Sequence, residues 1–304
     1  MKENKEISKK IEEAVKKISP KPFTISVSVI NLKTPEPEIS GYNMDEFIYP
    51  ASIYKIFIAA EILRKIDLKI LSLDQTVTIS DPNEVDKNIK LFPKRNPYRP
   101  LLHAGDKVTI DYLLDLMLTR SDNTAANELM DVAGREDINQ NIILPNGWNG
   151  SDVTRKFMNR LLEQKQYQKS SITVSTTRHI SEFFYKVEKR ELVNPWVSKM
   201  LKDYMLRWDK GGKKGLLIPE FKSYYTKGGW LQINGYSYNF FKAIVNIIRK
   251  GYCIVTWNND AGVVVGEKSH YAIAVMTLTK SPFLWVKFPL AKLSREIHDI
   301  MESQ

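Results

Sequence analysis

Hydrophobic positions along this chain follow three different periods. Near the start, Ile7, Ile11, Ala14, Val15 and Ile18 recur at three- and four-residue steps, and near the end Leu290, Leu293, Ile297, Ile300 and Met301 do the same. Such steps place apolar side chains on one helical face, so both ends are expected to be amphipathic helices. The run FTISVSVINL instead alternates, with Phe23, Ile25, Val27 and Val29 apolar and their neighbours polar. A turn-rich stretch through Pro35, Pro37 and Gly41 then leads to FIYP. This reads as two antiparallel strands. Toward the other end, YYTK, CIVTW, AGVVV and HYAIAVMTL are strand candidates, with Asn259-Asp260 expected to turn the chain between CIVTW and AGVVV.

Between these β regions the pattern is helical. SIYKIFIAAEILRKI is the most apolar helical stretch. Thr109 precedes IDYLLDLML, Asn123 precedes TAANELMDVA with Gly134 as its stop, and Asn194-Pro195 opens WVSKMLKDYML with proline at the first helical position. A helical middle inserted between β segments predicts one α+β domain over 1–304 built as an α/β/α sandwich. An antiparallel sheet flanked by the terminal helices would be formed by 1–51 and 207–304, a mostly helical lobe by 52–206, and a cleft would lie where they meet.

Composition narrows the class without naming a function. A chain of 304 residues with 43% hydrophobic content can bury a large core, and no apolar run reaches the eighteen residues of a membrane span. The net charge of +10 is spread along the sequence with short clusters such as Lys210 to Lys214, and no nucleic-acid module accompanies it, so no nucleic-acid partner is expected. Cys253 is the one cysteine and lies in an apolar run, where it reads as a buried, inert thiol. His103, His179, His270 and His298 are scattered and form no metal-ligand spacing, and no cofactor motif is found. The chain is expected to act as a monomer on a small molecule.

Three short motifs carry chemistry. In Ser52-Ile53-Tyr54-Lys55 a serine at a helix start exposes its oxygen, and the lysine three residues on faces the same side, where its amine can accept or relay the hydroxyl proton. Ser121-Asp122-Asn123 sits on a tight loop between a buried element and a helix, which can aim a hydroxyl and an amide into a cleft. Lys227-Gly228-Gly229 closes the YYTK strand, where two glycines let another backbone or a ligand approach. Each alone is commonplace: a serine helix cap with a surface lysine, a Ser-Asp-Asn helix cap and a glycine turn after a strand would explain them one by one.

Taken in order, S-x-x-K, S-D-N and K-G-G form the triplet of penicillin-interacting serine hydrolases. YPASIYKIFIAAEIL, MLTRSDNTAANELMDVAG and NDAGVVVGEKSHYAIAVMTLTK resemble the corresponding segments of class A β-lactamases, and the resemblance runs over nearly the whole chain from Phe23. It implies that Ser52 is the acylated nucleophile, Lys55 its proton partner and Ser121 the relay to the leaving nitrogen. Asn123 would bind the substrate acylamide, Lys227 would attract its carboxylate, and the backbone N–H groups of Ser52 and Trp230, beside Gly229, would form the oxyanion hole. Tyr98 would wall the cleft. The substrate would be a β-lactam or a peptidoglycan-like amide, met in the periplasm or outside the cell.

Two departures qualify that expectation. Gly228 stands where the family has serine or threonine, so carboxylate recognition is weakened. The segment VTRKFMNRLLEQKQYQKSSITVSTT lacks the family's E-x-x-L-N loop, which leaves Glu163 as the candidate base for the deacylating water. A chain that acylates without releasing would be a penicillin-binding, peptidase- or esterase-like, or sensing protein instead of a β-lactamase. The stretch 231–250 is longer than the family's crossing between strands and is expected to add packing.

Overall fold

The computed structural model describes residues 1–18, 23–85, 101–207, 215–234, 245, 247, 249–281 and 288–304. The chain forms two compact units, one of Met1–Ile53, Val174–Lys189 and Lys210–Gln304, the other of Tyr54–Thr173 and Arg190–Asp209. Residues 174–189, expected with the helical segment, thus belong to the sheet-bearing unit.

That unit is built on a six-stranded sheet in the order β1-β3-β2-β10-β9-β8, comprising β1 (Lys2–Glu3), β2 (Phe23–Asn31), β3 (Glu38–Tyr42), β8 (Ser223–Asn234), β9 (Ile254–Val265) and β10 (His270–Ser281). All neighbours are antiparallel except β1 and β3, which run parallel. Helices α1 (Lys5–Ile18) and α9 (Leu290–Glu302) cover one face. Ile7, Ile11 and Val15 meet Leu293 and Ile297 over Ile25, Val27, Val29, Ile273 and Val275. Burying each such side chain contributes about 1.5–3 kcal/mol, which is why these helices hold to the sheet, α1 despite its five lysines.

The other face of β2 is covered as well. Ser26 and Ser28, the polar half of the alternation, are buried and share hydrogen bonds of 2.6 and 2.7 Å with Thr177 and Ser181 of α7 (Thr177–Lys189). The sheet is therefore sandwiched between helices, and the alternation in β2 separates two buried surfaces.

Three strand expectations are corrected. The partner of β2 is Glu38–Tyr42, whereas FIYP contributes only an isolated bridge from Ile48 to Ser175. CIVTW and AGVVV are not joined by a turn: β9 runs straight through Asn259-Asp260. Both side chains are buried and satisfied there. The Asp260 carboxylate accepts from the backbone N–H groups of Leu216 and Ala261, both at 2.9 Å, and from the hydroxyls of Tyr224 and Thr226. Likewise β8 does not end at Lys227 but continues through both glycines to Asn234. The remainder of the 231–250 stretch lies mainly outside the described residues.

In the second unit, α2 (Lys55–Asp67) is buried on nearly every side, and Ile56, Phe57, Ile58, Ala59, Ala60, Ile62 and Leu63 are fully enclosed. It packs against α3 (Ile110–Thr119), α4 (Asn123–Ala133) and α8 (Pro195–Leu206). A helix apolar all round has to sit inside a bundle, as this one does. The capping residues act as their types require: Thr109 Oγ1 accepts from Tyr112 N, Asp122 Oδ1 from Ala125 N and Asn194 Oδ1 from Val197 N, at 2.9–3.2 Å. The cap of α4 is thus Asp122, and Asn123 is its first helical residue. Strands β4 (Thr76–Thr78) and β5 (Lys107–Thr109) pair as a ribbon. Helix α5 (Arg135–Ile138) is followed by the short strand β6 (Asp152–Val153), then α6 (Arg160–Tyr167) and β7 (Thr173–Val174). Among the described residues, no helix is long and apolar enough to cross a membrane.

Candidate active site

Ser52 lies in a 3-10 turn, Ala51–Tyr54, from which the chain passes directly into α2. Ala51, just before it, has φ of +50°, a left-handed conformation that costs a non-glycine residue about 1–2 kcal/mol. The strain is sustained by what grips the turn within the sheet unit. Asn259 Nδ2 donates to Tyr49 O at 3.0 Å, while Asn259 Oδ1 accepts from Thr277 N at 2.8 Å, and Tyr49 packs edge-on against Trp257 at 5.7 Å.

Strand β8 closes on the same turn at Gly229. A Cβ at this position would stand 2.6 Å from Pro50 O, 2.8 Å from Ser52 N and 3.1 Å from Ala51 Cβ, so only glycine allows the two backbones to meet. Strand residue Gly229 is thereby set beside the N–H of Ser52, with Trp230 following it and its side chain 52% exposed. The neighbouring Gly228 is unlike it, since a Cβ there would find its nearest atom, Asp260 Oδ1, at 3.5 Å. Lys227 is fully buried and its Nζ donates to Gly228 O at 3.0 Å.

In the other unit, Lys55, Ser121 and Asn123 are brought together. Lys55 is fully buried, and its Nζ lies 2.8 Å from Ser121 O, 3.3 Å from Ser121 Oγ, 3.2 Å from Asp122 O and 2.8 Å from Asn123 Oδ1. Four oxygens around one nitrogen suit an ammonium, which donates three protons. Ser121 has φ of +60°, again left-handed, and this turn aims its carbonyl and hydroxyl at the same nitrogen. The turn is braced by Arg120, whose guanidinium donates to Asp122 Oδ2 at 2.8 and 3.1 Å, while Asp122 caps α4.

The Phe157 ring forms a further wall of this group, its centroid 4.2 Å from Lys55 Nζ. It stacks on Tyr54 at 4.9 Å and an interplanar angle of 11°. Its backbone is held on both sides by one side chain: Phe157 N donates to Asn127 Oδ1 at 2.7 Å, and Asn127 Nδ2 donates to Phe157 O at 3.2 Å.

Glu163, the candidate base, is in different surroundings. It is buried on α6, paired with Arg135 at 2.5 Å, and it accepts from Lys156 N at 3.0 Å. Arg135 also donates to Thr154 O and lies 4.4 Å from the centre of the Tyr167 ring. Lys156, equally buried, pairs with Asp131 at 2.5 Å and donates to Asn83 Oδ1 at 2.7 Å. These ties make Glu163 a strut of the 154–167 segment.

Tyr98 lies outside the described residues. Phe157, Asn127 and Arg135 were not singled out from the sequence. The accessible signal was Asn127, one helical turn beyond Asn123 on α4, a second amide on the face that carries Asn123. Among the described residues, no group of three or more histidine, cysteine or acidic side chains is arranged to hold a metal ion.

Comparison with known proteins gives one family. A family model described as the β-lactamase enzyme family matches residues 6–301. No match is found among curated proteins. Among solved structures the chain is similar to PBP-A, with 17% identity, a TM-score of 0.69, and 98% of this chain and 97% of that one covered. It is also similar to the β-lactamase from Sphaerobacter thermophilus DSM 20745, at 17% identity and a TM-score of 0.71, with 96% of each chain covered. TLA-3 extended-spectrum β-lactamase gives 18% identity and a TM-score of 0.70 over 97% of this chain and 98% of that one. At these identities the likeness is one of fold.

Proposed function

The chain belongs to the β-lactamase enzyme family, and from that premise we propose that it opens β-lactams, or related peptidoglycan-like amides, by acylation of Ser52 and releases the acyl group slowly. The observation that carries the first half is Lys55, buried with its Nζ in reach of Ser121 Oγ and Asn123 Oδ1. In this reading Ser52 Oγ attacks the carbonyl carbon and the C–N bond breaks. The hydroxyl proton passes by way of Lys55 Nζ and Ser121 Oγ to the departing nitrogen, so charge and atoms balance. The backbone N–H groups of Ser52 and Trp230 stabilise the oxyanion, a contribution of about 2.7–4 kcal/mol for each such donor in well-studied hydrolases. Asn123 binds the acylamide and Lys227 the substrate carboxylate.

Slow release is favoured by Glu163, whose carboxylate is committed to Arg135 and to Lys156 N. Gly228, with no hydroxyl to offer, favours weak carboxylate recognition.

The test is incubation with benzylpenicillin followed by intact-mass measurement. A single adduct that persists after free drug is removed, and that is absent in Ser52→Ala, is the expected result. Rapid steady turnover without an adduct would overturn slow release, and no labelling at all would overturn the acyl-transfer reading.

A further inference from the structure

The amphipathicity of α6 is inverted. Its one carboxylate, Glu163, is 0% exposed and paired with Arg135, and Tyr167, one turn on, lies against the same guanidinium at 4.4 Å. At about 100° per residue, the opposite side of the helix carries Leu161, Leu162 and Lys165. Leu161 is 78% exposed and Leu162 56%, and Leu161 is the most exposed large apolar side chain among the described residues. A helix that packs for its own stability turns its leucines inward. Here both are held outward, and firmly: Asn159 Oδ1 caps the helix by accepting from Leu161 N at 2.8 Å, and the Arg135–Glu163 pair fixes which side faces in.

The surroundings of the two leucines are basic. Between Arg155 and Ile172 the chain has five cations and, apart from the buried Glu163, no carboxylate. Lys156 and Lys169 are paired with Asp131 and Glu136, whereas among the described residues no acidic partner meets Arg160 or Lys165, both exposed on α6 itself. Protruding aliphatic side chains flanked by unpaired cations suit a partner that is apolar beneath an anionic surface. A bilayer with anionic headgroups has that layering: the leucines enter the acyl boundary, the stems of arginine and lysine lie along it, and their charges meet the phosphates. A protein partner fits less well, since aromatic side chains dominate protein-binding hot spots and leucine is under-represented there. We propose that the outward face of α6, formed by Arg160, Leu161, Leu162 and Lys165, docks this chain onto anionic lipid membranes. Docking of this kind is independent of whether Ser52 is acylated.

The experiment is flotation of the full-length chain with vesicles of phosphatidylglycerol and phosphatidylcholine, against vesicles of phosphatidylcholine alone, in 0.1 M salt. The parent should float with the anionic vesicles only, and should lose most of that binding in 1 M salt, where the screening length falls from about 10 to about 3 Å. L161Q/L162Q should bind at least about tenfold more weakly, because two side chains lose their burial in lipid. R160Q/K165Q should bind about 25-fold more weakly, roughly fivefold for each cation near the surface. L144Q, which changes a leucine as exposed as Leu162 but outside α6, should bind as the parent does. All these positions are exposed, so circular dichroism should be unchanged and the thermal midpoint should stay within about 1 °C. Should L161Q/L162Q fail to fold, R160Q/K165Q and the lipid dependence of the parent decide. No flotation of the parent, equal flotation with phosphatidylcholine alone, or parent-like flotation of either folded α6 variant overturns the proposal. An equal loss in L144Q overturns it too, since any exposed leucine would then serve. Self-association of the parent without vesicle binding, abolished in L161Q/L162Q, would assign the face to a second copy of the chain and overturn membrane docking.

Discussion

The adjacent glycines of β8 should behave in opposite ways. In Gly229→Ala the new methyl would enter at 2.6 Å from Pro50 O and 2.8 Å from Ser52 N, both backbone atoms of a turn already strained at Ala51. Backbone cannot swing aside as a side-chain tip can, so either β8 or the turn has to move. Overpacking of this kind costs about 1–3 kcal/mol, and at about 2 °C per kcal/mol for a chain of this size the thermal midpoint should fall by roughly 2–6 °C. The larger effect is on chemistry, since the displaced group includes the N–H proposed for the oxyanion. Acylation should slow by about 100-fold or more. In Gly228→Ser the Cβ has its nearest neighbour at 3.5 Å, ordinary van der Waals contact, so the midpoint should stay within about 1 °C. The added hydroxyl should raise the rate of acylation by benzylpenicillin. The assay is the second-order rate of adduct formation by quenched-flow intact mass, paired with differential scanning calorimetry. Equal midpoints and equal labelling rates for the parent and Gly229→Ala would refute the close-approach reasoning.

Glu163→Gln should act on stability: it leaves Arg135 buried beside a neutral amide at a cost of about 3–5 kcal/mol, whereas replacing both partners together with apolar residues should cost less. Chemical denaturation of the single and double variants checks this, and a single variant as stable as the parent would contradict the strut role. Ser121→Ala should slow acylation by about 10²–10⁴-fold with little change in the thermal midpoint, because Lys55 keeps the Ser121 carbonyl as a partner. Stopped-flow kinetics with a chromogenic cephalosporin would show it, and parent-like rates would remove Ser121 from the proton path. Burial lowers the His179 imidazole to about 4, opposed by Asp45 and assisted by Arg178. Since the unfolded chain takes up this proton from about pH 6.5 and the folded one only near pH 4, stability should decline as pH falls across that window. His179→Gln should flatten that part of the midpoint-versus-pH curve; a parallel curve would argue against it.

What could be read from the chain depended on where each residue's partners lie. Helix caps such as Thr109 and Asn194 find their partners three residues away, so the sequence displays cap and target together. The S-x-x-K, S-D-N and K-G-G motifs were legible for a related reason, because each is a short segment whose residue types the chemistry dictates. Asn259-Asp260 looked like a turn because such pairs usually satisfy themselves locally. Here the donors to Asp260 include Leu216, Tyr224 and Thr226, brought in from another strand and a distant loop, and with those donors supplied the pair stays extended inside the sheet. Ser26 and Ser28 likewise have distant partners, hydroxyls of α7 some 150 residues onward. Glu163 and Phe157 show the same dependence on distant partners. Glu163, close in sequence to the expected loop, is the candidate base, and its ion-pair partner Arg135 lies 28 residues back, where the sequence does not display the pair. The residue beside Lys55 was decided by Asn127, whose two hydrogen bonds select a backbone position and are indifferent to the side chain it carries. The type of residue 157 is set by other neighbours again, since its ring stacks on Tyr54 and lies against Lys55, so backbone position and side chain answer to different partners, neither of them local.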